Sequence, residues 1–338
     1  MIIGVPKETK NHEYRVGLTP KAVKTLSKNK HSVSIESEAG IGSGFSDEDY
    51  KKAGTLLTNQ KFVWLSDIIV KVKEPIEEEY ELMKLGQIIF AFFHFPANPE
   101  LKKIILEKQI KAIPYENIQL YDGSRPVLKA MSEITGEISV DVAAHYLRKE
   151  NGGKGKLLRD AIAVVLGCEG ILGKTASEIL VSRGTYVIGF DRPEKIPCAN
   201  IMPNQWERRK FSEDWLMVSL KTADLVICAA ANKGEGAPKL ITREMLKLMK
   251  PGSVIVDPSI DEGGCCETSR PTTHDNPVYI EGEGIIHYCV TNMPGAVPQS
   301  STPALVKKTL DYILEVANKG WQKALEENPV LAQAAKID

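Results

Sequence analysis

The stretch from Ala161 to Asp191 restricts the fold more than any other part of the chain. An apolar run through Leu166 meets glycines at Gly167, Gly170 and Gly173, a helical run reaches Arg183, and a second apolar run from Gly184 ends on Asp191. A strand feeding a glycine turn, a helix opening on the last glycine and a second strand closed by an acid form the βαβ unit that binds a dinucleotide. Glycines let the backbone approach a pyrophosphate, which rests on the partial positive charge of the helix N-terminus. The closing acid accepts hydrogen bonds from ribose hydroxyls, and its charge repels a 2′-phosphate. Asp191 therefore points to NAD, while Arg192 beside it leaves NADP open.

The glycine spacing departs from G-x-G-x-x-G, because Cys168 stands where the first glycine belongs. Either the turn is one residue longer and starts at Gly167, or Cys168 takes a conformation that glycine usually supplies. Gly173-Lys174-Thr175 resembles the end of a P-loop, but that motif requires glycine at 168. Glu169 within the loop opposes a pyrophosphate unless Lys174 offsets it.

At 338 residues the chain exceeds one ordinary core and calls for two domains. Before Tyr115, Ile2–Val5, Ser32–Glu36, Ile68–Val72, Ile88–Phe93 and Lys111–Ile113 read as strands. Helix starts lie between them at Thr19-Pro20, at Ser46-Asp-Glu-Asp49 and at Asn98-Pro99. Such alternation predicts an α/β protein: two doubly wound, Rossmann-like domains with mostly parallel sheets, flanking a cleft. Residues 128–299 are expected to form the dinucleotide-binding domain. Residues 1–127 form the other, joined by 300–338 because a helix from Pro303 to Asn318 would cross back to it. Two helices split near Gly320 are expected at the end. Residues 192–216 resist assignment, and Trp206 and Trp215 there must pack somewhere.

Balanced charge, a net -1 with 26% charged residues, argues against nucleic-acid or polybasic membrane partners. No apolar run approaches the roughly 18 residues needed to span a bilayer, and a cytoplasmic location is expected. Cys168, Cys198, Cys228, Cys265, Cys266 and Cys289 lack metal-site spacing, so reduced thiols and no metal are expected.

Ligands of parallel sheets bind beyond the carboxyl ends of the strands. Arg15 follows the first strand, Lys73 follows Val70-Lys-Val72, and His94 follows Phe92-Phe93. Each alone has a dull explanation: a solvated loop arginine, a surface pair of Lys73 with Glu74, a core histidine. Together they suit a small anionic substrate, with cations fixing a carboxylate and a histidine moving a proton near neutral pH. Asp261 and Asn292 fall just past two later strands, on the rim facing the cofactor.

Ile3-Gly-Val-Pro-Lys-Glu-Thr-Lys, Gly42-Ser-Gly-Phe-Ser-Asp-Glu-Asp-Tyr50, Val70-Lys-Val-Lys73-Glu-Pro, Met131-Ser-Glu133, Ile260-Asp261-Glu-Gly-Gly264 and Asn292-Met-Pro-Gly-Ala-Val-Pro298 resemble the alanine dehydrogenase family, which is related to the proton-translocating transhydrogenase. The likeness covers nearly the whole chain except about 155–236. It implies that Arg15 and Lys73 bind the substrate carboxylate or carbonyl, and that His94 and Asp261 are catalytic. Ser132, Gly167, Gly170, Gly173, Asp191 and Asn292 would serve the cofactor. It further implies NAD-dependent oxidative deamination of L-alanine to pyruvate and ammonia, in a hexamer. A relative joining a keto acid to another amine, or a non-catalytic amino-acid or keto-acid binder, stand as alternatives because the substrate motifs are kept while the cofactor loop has drifted.

Overall fold

Short β-branched runs separated by capped helices build the first of two parallel sheets. The computed structural model describes residues 1–196, 201–202, 205–231 and 236–337. Met1–Met131 and the segment from Gly295 onward form one unit, and Ser132–Pro294 forms the other. Cys198 lies outside the described residues, as do residues 232–235 in the loop after the strand ending at Cys228.

In the first unit the strands are β1 (Ile2–Val5), β2 (Ser32–Glu36), β3 (Leu56–Thr58), β4 (Ile68–Lys73), β5 (Ile88–Phe92) and β6 (Lys111–Pro114), in the order β3-β2-β1-β4-β5-β6. Every pairing is parallel. The order reverses at β1, and the strand ends around such a switch point form a ligand crevice. All of β5 is buried, as expected of a strand covered by helices on both faces. Helix starts follow the sequence: Thr19 Oγ1 accepts from Ala22 N at 3.2 Å, and Ser46 and Asp49 form a reciprocal capping box. The three-residue edge strand β3 was not expected. The carboxy-terminal segment differs too. Its long helix opens at Pro298, ahead of Pro303, and two shorter helices follow, Trp321–Glu327 and Pro329–Ala334, making three where two were expected. Asn328 divides the last pair by accepting from Val330 N and Leu331 N. Thr302 Oγ1 takes the Val16 N–H at 3.3 Å, tying the long helix to the segment after β1.

The second unit holds β7 (Ile162–Leu166), β8 (Tyr186–Asp191), β9 (Ile201–Met202), β10 (Trp206–Lys210), β11 (Leu225–Cys228), β12 (Val254–Val256), β13 (Val278–Glu281) and β14 (Ile285–Tyr288). Their order is β13-β14-β12-β11-β7-β8-β10-β9, with the central six parallel and both edges antiparallel. Alternate residues of β7 enter two cores: Ala163 and Val165 pack with Val140 and Leu180, while Val164 and Leu166 pack with Leu216 and Met245. Residues 192–216 contain β10, a parallel strand beside β8. Trp206 is buried there, but Trp215 stays 52% exposed and packs under the Arg209 guanidinium, 4.3 Å away. Among the described residues no helix is long and apolar enough to cross a membrane.

At the amino ends of β7 and β11, Asp224 binds Lys154 Nζ at 3.0 Å, Lys156 Nζ at 2.8 Å and Ile162 N at 3.0 Å. Burial raises its carboxyl, but the bonds from Lys156, Ile162 and Lys154 outweigh that and hold it below the ordinary range. The stabilisation is present above the unfolded pKa and is lost as pH falls. Asp224→Ala should cost about 3 kcal/mol in denaturant unfolding at neutral pH, and less in acid. Because Asp224 lies at the amino ends, dinucleotide affinity should stay unchanged.

Candidate functional site

The segment leaving β1 carries Arg15, which is only 2% exposed. Glu13 grips it with both oxygens: Arg15 Nε donates to Oε1 at 2.7 Å and Nη2 to Oε2 at 2.5 Å, while Arg15 N donates to Oε1 at 3.0 Å. Nη1 points at Met131 Sδ, 3.3 Å away. A solvated loop arginine is therefore excluded. Two parallel charge-assisted bonds fix the plane of the guanidinium and leave the Nη1 side to face other groups.

The two lysines of the Lys-Val-Lys motif have different surroundings. Lys71 is 1% exposed, between Glu79 at 2.8 Å and Glu8 at 3.4 Å. Glu8 also accepts from Val72 N at 2.6 Å, binding the β1 exit to β4. Lys73 follows across a register irregularity and is partly exposed at the end of β4. Glu74, next in the chain, is buried, with Lys10 Nζ at 2.5 Å.

His94 lies two residues past the end of β5 with φ of +48°, a conformation rarely held by a non-glycine residue. Glu116, just past β6, holds it there. Its Oε1 accepts from His94 N at 2.7 Å and from Phe93 N at 3.0 Å. Such a backbone costs roughly 1–3 kcal/mol and persists where its surroundings enforce it. The imidazole is partly exposed and stacks on Phe92 at 5.9 Å, so it is not a sealed core histidine. Arg15, Lys73 and His94 thus leave the carboxyl ends of three adjacent strands, β1, β4 and β5. Glu13 and Glu116, which orient two of them, carry no pattern that singled them out in the sequence.

In the second unit, Gly167 takes the left-handed conformation, with φ of +79°, and Cys168 does not. The turn is therefore one residue longer. Gly167 N donates to Phe190 O at 2.7 Å, and Gly167 O accepts from Gly170 N at 3.0 Å. A side chain at Gly173 would lie 2.2 Å from Gly167 O, so that glycine lets the helix Ile171–Ser182 close on the turn. Gly170 caps this helix without a side-chain hydrogen bond, leaving its first N–H groups for an anion. Cys168 fills the space above Gly189, where an added Cβ would meet its sulfur at 2.8 Å. Burial, with Glu169 and Asp191 nearby, pushes its thiol up to about 12, which makes it chemically quiet.

Asp191 is 6% exposed at the end of β8. Its Oδ2 accepts from Glu169 N at 2.9 Å and its Oδ1 from Arg192 N at 2.8 Å, with Lys195 Nζ 3.4 Å away. Arg192 turns its guanidinium to Glu194 at 3.4 Å. Glu169 is offset by Arg208 of β10, at 3.0 Å, a partner the sequence did not indicate beside Lys174. Ser132 lies four residues before Gly136, where a side chain would meet Leu172 O at 2.8 Å, so its helix packs on the glycine-loop helix. Asp261 and Asn292 meet: Asn292 N donates to Asp261 Oδ2 at 3.4 Å. The backbone cradle, the open helix start and the acid at 191 fit a dinucleotide.

A doubly wound sheet with this loop at its switch point places the unit in the class of dinucleotide-binding domains. Residues 4–135 match the family description "Alanine dehydrogenase/PNT, N-terminal domain", and residues 139–338 match "Alanine dehydrogenase/PNT, C-terminal domain". The chain belongs to the alanine dehydrogenase/PNT family. It is 44% identical to an alanine dehydrogenase of Methanococcus maripaludis, over 98% of this chain and 91% of that one. An alanine dehydrogenase of Bacillus subtilis is 42% identical, over 98% and 89%. A solved structure titled L-alanine dehydrogenase superposes with a TM-score of 0.93 at 40% identity, covering 100% of this chain and 96% of that one. The transhydrogenase of Sinorhizobium meliloti shares the fold, with a TM-score of 0.82 at 24% identity over 94% and 95%.

Glu8 is raised to about 7, chiefly by burial; Lys71 opposes the rise, while Glu13 and Glu79 add to it. A carboxyl raised in this way contributes stability below its unfolded pKa, and that contribution is lost as pH climbs through about 7. Glu8→Gln should remove that slope. The melting temperature of the variant, relative to the unsubstituted protein, should rise by about 5 °C between pH 5 and pH 8.

Proposed function

We propose that the protein is an NAD-dependent L-alanine dehydrogenase, converting L-alanine reversibly to pyruvate and ammonia. The observation that carries this is the buried, Glu13-clamped Arg15 sharing a sheet edge with Lys73 and His94, in a chain alike end to end to alanine dehydrogenases. Arg15 and Lys73 hold the substrate carboxylate and draw charge onto the oxygen of the carbonyl. His94 takes the proton from the carbinolamine oxygen during deamination and returns it in the reverse direction. The Glu116 latch sets where that ring stands. Asp261, supported by Asn292 N, orients water or ammonia.

Gly167, Gly170 and Gly173 would take the pyrophosphate, and Asp191 the ribose, with Ser132 and Asn292 as further cofactor contacts. Bound there, the nicotinamide supplies the hydride acceptor for the alanine α-carbon. Asp191 supports NAD over NADP, since its carboxylate repels a 2′-phosphate. A hexamer rests on the resemblance alone.

Purified protein mixed with pyruvate, ammonium and NADH should consume NADH at a rate that saturates in each substrate. No consumption at high protein concentration would overturn the proposal. His94→Ala should lower kcat by about 10²–10⁴ while leaving NADH affinity unchanged. Equal losses in both would point to a structural role for His94.

A further inference from the structure

Glu169 is an unusual residue for a loop that must receive a pyrophosphate. Its carboxylate meets Arg208 Nη1 at 3.0 Å, and both side chains are 18% exposed. Its backbone N–H donates to Asp191 Oδ2 at 2.9 Å, which places the ion pair directly beside the acid that favours an unphosphorylated ribose. Arg208 arrives from β10, where it is paired in register with Gly189 of β8. Its guanidinium lies over the Trp206 ring at 5.6 Å. Its Nε is buried and has no hydrogen-bond partner among the described residues, so the fork retains an unused donor. Asp191 and Glu169 are thus balanced by Lys195 and Arg208.

We propose that Glu169 is a specificity-determining residue and Arg208 its counterweight. Glu169 keeps the Arg208 fork away from a 2′-phosphate, and Arg208 cancels the charge that Glu169 would otherwise set against the pyrophosphate. This deepens the proposed function and rests on dinucleotide binding at this loop. Without the Glu169 charge, Arg208 is a guanidinium free to form charge-assisted bonds with a phosphate. Without Arg208, two carboxylates and one lysine surround the ribose position.

Calorimetric titration with NADH and with NADPH, no substrate present, tests this on the unsubstituted protein, Glu169→Gln, Arg208→Gln and the double variant. Glu169→Gln should tighten NADPH binding by about tenfold and leave NADH within about twofold. Arg208→Gln should weaken NADH by about tenfold, and the double variant should recover most of that loss while gaining nothing for NADPH. The double variant leaves neither charge unpaired, so it carries the NADH test if Arg208→Gln fails to melt cooperatively. An NADPH-to-NADH affinity ratio unmoved by Glu169→Gln, or a double variant that binds NADH no better than Arg208→Gln, would overturn the proposal. Binding of both coenzymes with that unmoved ratio removes this inference alone. Binding of neither by the unsubstituted protein removes the dinucleotide assignment and this inference together.

Discussion

A guanidinium buried without a partner would cost several kcal/mol, and the two-pronged bond from Glu13 is what allows Arg15 to sit where it does. The same device recurs along that edge of the first sheet. Glu8 and Glu79 enclose Lys71, Glu74 holds Lys10, and Glu116 fastens the backbone at His94. Two of these carboxylates join separate strand exits: Glu8 links the β1 segment to β4, and Glu116 links the β6 exit to the end of β5. Arg15 and the backbone at His94 are therefore held in fixed orientations by carboxylates of the same unit.

The second unit achieves preorganisation mainly with backbone. Gly167 turns the chain, Gly173 admits the helix, and Gly189 makes room for the Cys168 side chain and the Trp206 ring. The cysteine that broke the expected glycine pattern is a packing residue over β8. Asp191 serves the protein as well as the ligand it suits, since it binds Glu169 N and Arg192 N. Its orientation is set by the turn whose N–H groups it accepts from.

Much of this was legible in the sequence because it depends on local periodicity and turn chemistry. The parallel strands of the first unit, the caps at Thr19 and Ser46, and the βαβ unit around Gly167 all follow from neighbours within a few residues. Arg15, Lys73 and His94 were visible as polar residues after strands. What escaped depends on distant pairing. β10 carries Glu207-Arg-Arg-Lys210, which has no apolar alternation, and it is a strand because β8 offers an open edge. Arg208 as the partner of Glu169 is 39 residues away in sequence. Glu116 acts on a backbone 22 residues earlier, and no spacing rule marks it. Trp215, which has to pack somewhere, packs at the surface under the Arg209 guanidinium.

The carboxylate clamp is tested most directly by calorimetric titration of pyruvate into the NADH-saturated protein, comparing Glu13→Gln with the unsubstituted chain below both melting temperatures. Loss of one arm of the charge-assisted pair should weaken pyruvate binding by about tenfold or more, with NADH affinity unchanged. Pyruvate binding as tight in Glu13→Gln as in the unsubstituted protein would contradict the claim that this buried ion pair sets the substrate site.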